Sequence, residues 1–344
     1  MRLFARTLRR GRCAGPLALL LTGFLASALY AEPPLMDPSE TISEEIQDGD
    51  ILQTQYRQAR SNRGNGRTWA VGSSDDDTKR AAAQALPLNK LTPADRKRVV
   101  DVVNSAAMFR RMPTIVFASD PDAYEYLVYH PDVTASIWRA MQISKMQLWQ
   151  TGRFEFEGDA QDGTVGTMDV LYQSPNLNLV YCEGEFKSPL VPKPIQAQSV
   201  ILLRTGYSKE SDGTIYITHS ADLYVTFPSQ TVDSIAKFLS PLSGRIADRT
   251  FTEISTFLKM MSMAMSTRPG WVEKLSEKMG GIPDLRREQL LQLTAKVYAA
   301  ELKRRDQTPS AAVQPASAKE ASVTRPTQRT VGDTESLPRR VPRR

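Results

Sequence analysis

Side chains able to do chemistry are sparse in this chain, which has two histidines and two cysteines in 344 residues. His219 lies in GTIYITHSADLYVTF (213–227), where Ile215, Ile217, Ala221, Leu223, Val225 and Phe227 share one parity and polar residues hold most of the other. Alternation at a period of two marks a strand with one buried face, so the imidazole is expected to point into a core. There it can anchor a polar group of a guest, act as general acid or base, or rest as a core histidine satisfied by a neighbouring hydroxyl. Tyr172 shares the parity of Met168 and Val170 and is expected to offer its hydroxyl to the same space. Arg204, in VILLRTGY, is flanked by apolar residues of both parities. An outward course, paired with Glu183 or Glu185, is preferred because an unpaired buried charge is costly. Asp222 falls on the polar parity and is expected to be exposed. His130, followed by Pro131, reads as a turn residue.

Several chemistries are excluded by composition. Two distant histidines and the single cysteine left beyond the leader, Cys182, do not make a common zinc site. No glycine-rich phosphate loop follows a strand, and no GxSxG elbow occurs. GDAQDG (158–163) lacks calcium-ligand spacing and reads as a hairpin turn. No cofactor and no metal is therefore expected.

The elements that must position these residues follow from periodicity. LTPADRKRVVDVVNSAAMF opens with Thr92 as cap and Pro93 at the first helical position, with Val99, Val102, Val103, Ala106 and Phe109 at helical spacing. PTIVFA (113–118) is expected as a strand. Asp120 and Pro121 start a short helix, and a second follows Pro131 through Trp138. From about residue 145 the period becomes two, giving six strands separated by turn residues and no helix, which is an antiparallel meander. A long helix is expected from about 241 to 266, with Leu258, Met261 and Met265 on its apolar face. Two further helices are expected within 268–307.

The ends differ in kind. Residues 1–28 carry five arginines and no acid, then an apolar run and Ala26-Ser27-Ala28, the layout of a secretory signal peptide. The protein is accordingly expected to be exported, periplasmic or secreted, with no transmembrane span in the mature chain. Residues 29–90 and the basic tail 308–344 are rich in small and polar residues and are expected to be disordered. The net charge of +6 resides at the ends: the leader is +5, and residues 303–344 hold ten Lys and Arg against four acids. The remainder is mildly acidic, which argues against a nucleic-acid partner.

The succession of a short strand, two small helices, an antiparallel meander and a long helix, with YEYLVYHPDVTASIWRAM before the meander, resembles the START-like (SRPBCC) superfamily over residues 112–267. The resemblance implies an α+β helix-grip fold, a curved antiparallel sheet wrapped around a long C-terminal helix, preceded by a helix at 91–111. It also implies a cavity that takes a hydrophobic small molecule or lipid without catalysis. Candidate ligand contacts are then His219, Tyr172, Met168, Leu223, Leu258, Met261 and Met265, the methionines being flexible enough to repack around a guest. The alternatives are a cyclase or dehydratase using His219, and a cell-envelope interaction module with a closed core.

Overall fold

The computed structural model of the chain describes residues 67–187, 193–211, 213–228 and 241–307. Nine strands among them form one antiparallel sheet: β1 (Arg67–Ala70), β2 (Met108–Arg111), β3 (Thr114–Ala118), β4 (Gln147–Gln150), β5 (Glu155–Asp159), β6 (Thr164–Ser174), β7 (Leu177–Phe186), β8 (Ile195–Lys209) and β9 (Ile215–Thr226). Their order is β1-β3-β9-β8-β7-β6-β5-β4. β2 and β3 share one side of β9, with Phe109 opposite Tyr224 and Ile115 opposite His219. The fold class is α+β.

The helices begin where the sequence signals them. α1 (Asp76–Gln84) is followed by α2 (Pro93–Asn104), whose cap Thr92 accepts a hydrogen bond from the Asp95 amide at 3.2 Å. α3 (Pro121–Tyr129) is capped by Asp120, and α4 (Pro131–Ala140) starts immediately after His130. α5 (Pro241–Thr267), α6 (Pro269–Glu277) and α7 (Asp284–Gln307) close the described chain. The 27-residue α5 is thus followed by two more helices, and it packs against β3, α3, α6 and α7.

Both faces of the sheet are covered over part of its width. On the first face, Phe257, Leu258, Met261 and Met265 of α5 join Ile115, Phe117 and Ile217 in the main core. On the second, Ala82, Leu86, Val99 and Val102 from α1, α2 and the segment between them cover Leu179, Val200, Leu202 and Tyr224. Tyr224 stacks tilted on Phe109 at 4.9 Å and donates to the Lys79 carbonyl at 3.1 Å.

This second layer corrects two expectations. Residues 67–90, expected without fixed structure, contain β1 and α1; Ala82, though small, is fully buried, so little apolar mass was needed to dock the helix. The helix expected across 91–111 ends at Asn104, and Met108–Arg111 instead pairs with the free side of β9. The leader, residues 29–66 and the tail 308–344 lie outside the described residues.

The turn at GDAQDG behaves as read. Between β5 and β6, Asp159 accepts from the Gln161 amide at 2.7 Å and Asp162 from that of Thr164 at 2.9 Å. Gly163 has φ +99°, where a Cβ would meet the Lys187 carbonyl oxygen at 2.1 Å. These carboxylates shape a hairpin.

Candidate functional site

A cavity of about 230 Å³ lies between the first face of the sheet and α5. Its geometry follows from strand register. Val170, Val180, Ile201 and Leu223 are successive cross-strand partners on β6 to β9, so all four present their side chains to one side. All four belong to the cavity wall; across from them, α5 contributes Phe251, Ile254 and Leu258, which fall at helical spacing, and α4 contributes Trp138.

Four of the seven anticipated residues meet here: Met168, His219, Leu223 and Leu258. Tyr172 does not. A bulge between Val170 and Tyr172 lets Val170 face Val180 while Tyr172 faces Leu179, and the extra residue turns Tyr172 to the opposite face against the α1/α2 layer. Met261 and Met265 are buried in the main core rather than in the wall. Beyond Leu258 the same stripe of α5 meets Val272 of α6 and Leu290 of α7, which close the space.

His219 is 2% exposed. Its Nδ1 is 3.1 Å from the Tyr124 hydroxyl, and its Nε2 is 2.7 Å from Ser255 Oγ. Ser255 donates its own proton to the Phe251 carbonyl at 2.7 Å, so Nε2 must be the donor toward Ser255 Oγ. Nδ1 then accepts from Tyr124, whose oxygen in turn accepts from Thr205 at 3.0 Å. The result is one continuous chain, Thr205 to Tyr124 to His219 to Ser255 to the Phe251 carbonyl, with each proton used once. The ring is flanked by Phe117 and Phe251 at 5.1 and 4.7 Å. Burial without a carboxylate partner lowers its pKa to about 3. The imidazole therefore presents ring carbon to the cavity, and neither nitrogen has a lone pair or proton left for a guest.

The remaining polar residues serve the frame. Cys182 lines the cavity, and burial pushes its thiol up to about 12, so it is no thiolate nucleophile at neutral pH. Arg204 does point outward, but toward Asp222 rather than Glu183 or Glu185. Asp222, expected to be exposed, is 0% exposed and also holds Arg111 at 2.7 and 3.0 Å. The α1/α2 layer removes this part of the second face from water, and two guanidinium groups offset the buried carboxylate. His130 joins α3 to α4, with Nε2 at 3.2 Å from Arg286 Nη1; burial, then Arg286, lower its pKa to about 4. Among the described residues, no group of three or more His, Cys, Asp or Glu converges to hold a metal ion, and no helix is long and apolar enough to cross a membrane.

Sequence reasoning missed Asn178 and Gln173, which face the cavity as register partners on β7 and β6. The outward placement of Glu183 and Glu185 already implied that Asn178, Val180, Cys182 and Gly184 take the inner parity of β7, but a search for apolar contacts passes over a carboxamide.

No protein-family model matches the chain, and no curated protein does. Among solved structures, it is similar to a conserved protein from Geobacillus kaustophilus, with 13% identity, a TM-score of 0.28, and coverage of 44% of this chain and 93% of that one. It is also similar to Ara h 8.0201, with 9% identity, a TM-score of 0.26, and coverage of 43% and 98%.

Proposed function

We propose that the protein is a non-catalytic binding domain of START-like type, its sheet gripping α5, that holds a hydrophobic small molecule or lipid in the cavity. The observation that carries this reading is the wall itself, a cross-strand ladder of aliphatic side chains facing an apolar stripe of α5 and Trp138. Such a lined concavity gains free energy by burying an apolar guest. Leu223, Leu258 and Met168 supply contact surface, and His219 adds the face of its ring. A cyclase or dehydratase role would need a reactive nitrogen on His219, and both are committed to protein partners.

The test is binding of naphthalene, followed by titration calorimetry, to the purified protein and to Ile201→Trp, which fills the wall. Saturable binding to the former and loss in the latter, with thermal unfolding unchanged within a few degrees, is the expected result. Equal binding by both would place the guest elsewhere.

The arginine-rich start, apolar run and Ala26-Ser27-Ala28 further support export. Amino-terminal sequencing of the native protein is expected to begin near Leu29. An intact Met1 on exported material would remove this reading.

A further inference from the structure

We infer that the cavity selects a neutral apolar molecule carrying a hydrogen-bond donor, such as an alcohol or phenol, and that Asn178 is the residue that receives it. The inference rests on the binding reading above and deepens it. Asn178 is 4% exposed, lines the cavity, and its Oδ1 has no hydrogen-bond partner among the described residues. Buried carboxamides are normally satisfied, because an unpartnered acceptor forfeits its hydration without compensation. A guest hydroxyl supplies what is missing.

Three features of the wall narrow the chemistry. Gln173 is the register partner of Asn178 across β6 and β7 and lines the same cavity, so two carboxamide residues occupy neighbouring positions of the wall. No Lys or Arg belongs to the described wall, and its one carboxylate residue is Glu183, which engages Tyr181 and Gln198. An anionic head group would therefore be buried without a counter-charge, which is strongly unfavourable. The other unpartnered buried atom of the wall, Thr164 Oγ1, is likewise neutral, but sits at the far end of β6 without a second amide beside it. His219 is not the anchor, since its nitrogens are saturated.

Naphthalene, 2-naphthol and 2-naphthoate have closely similar ring volumes and differ in the polar group alone. Measured at neutral pH on the purified protein, 2-naphthol is expected to bind about five-fold tighter than naphthalene, the gain of one neutral hydrogen bond to a group otherwise unpaired. 2-Naphthoate is expected to bind weakest. In Asn178→Leu the advantage of naphthol over naphthalene should fall to about one-fold, while naphthalene binds as well as before or better. The same variant should be no less heat-stable, since an unpaired buried acceptor has been removed. Equal binding of naphthol and naphthalene by the wild type, tightest binding of naphthoate, or survival of the naphthol advantage in Asn178→Leu would each overturn the inference while leaving the apolar cavity intact. Failure of all three compounds to bind would overturn the binding reading itself.

Discussion

The neutral imidazole of His219 is held by geometry on both sides. Tyr124 reaches Nδ1 from α3, and Ser255 meets Nε2 from α5, so one ring on β9 ties the sheet to two helices. The acid limb of its titration is expected near pH 3, and long-range nitrogen–proton NMR should show the Nε2-protonated tautomer throughout pH 5 to 8. A midpoint near the free value of about 6.5 would contradict this burial. His219→Leu removes both hydrogen bonds, leaving Tyr124 with Thr205 alone and Ser255 with the Phe251 carbonyl alone. At pH 7 it is expected to cost about 2–3 kcal/mol in urea unfolding while leaving naphthalene affinity within two-fold. A large loss of affinity at full stability would instead make the ring a ligand anchor.

β9 shows what one element does with two faces. Its first parity, from Ile217 to Val225, faces the main core and the cavity; its second carries Asp222 and Tyr224 beneath α1 and α2. The buried Asp222 carboxylate holds Arg111 on β2 and Arg204 on β8, so it pins three adjacent strands. Asp222→Ala leaves two guanidinium groups facing each other. The expected cost is about 2–4 kcal/mol, below the figure for a fully buried pair because both arginines keep partial contact with water. Thermal unfolding of Asp222→Ala beside Arg204→Met checks it; a loss under about 1 kcal/mol would show that the triad is well screened. How much of this was legible depended on length and bulk. The long strands announced themselves by alternation, and Thr92, Pro93, Asp120 and Pro121 marked helix starts correctly. β1 and β2 are four residues each, too short for a period to register, and α1 buries only Ala82 of its nine residues. Without that layer in view, Asp222 read as solvated. The bulge at Tyr172 was equally invisible, because its residue types do not distinguish a one-residue insertion from continued alternation.

Across the whole molecule, both histidines are held neutral by burial, and this couples stability to acid. Folding lowers the pKa of His219 to about 3 and that of His130 to about 4, against about 6.5 in the unfolded chain. Below pH 6.5 the unfolded state takes up protons that the folded state refuses. The contribution is therefore fully present above that pH and is lost as pH falls toward the folded values. Asp132 opposes it: burial raises its carboxyl pKa, so the folded state holds that proton more firmly and gains stability as pH falls. The net slope of the wild type mixes these terms, whereas the difference between wild type and His219→Leu isolates one. For a single histidine the linkage approaches about 1.4 kcal/mol per pH unit well below 6.5, which amounts to about 2 kcal/mol between pH 7 and pH 5. The stability gap between the two proteins in urea should accordingly shrink by about that amount at pH 5, nearly closing. A gap of the same size at both pH values would mean that His219 accepts its proton at Nδ1 in the folded state, and that Tyr124 turns its own proton toward Thr205 to accommodate it, the bonds through Ser255 to the Phe251 carbonyl being unchanged.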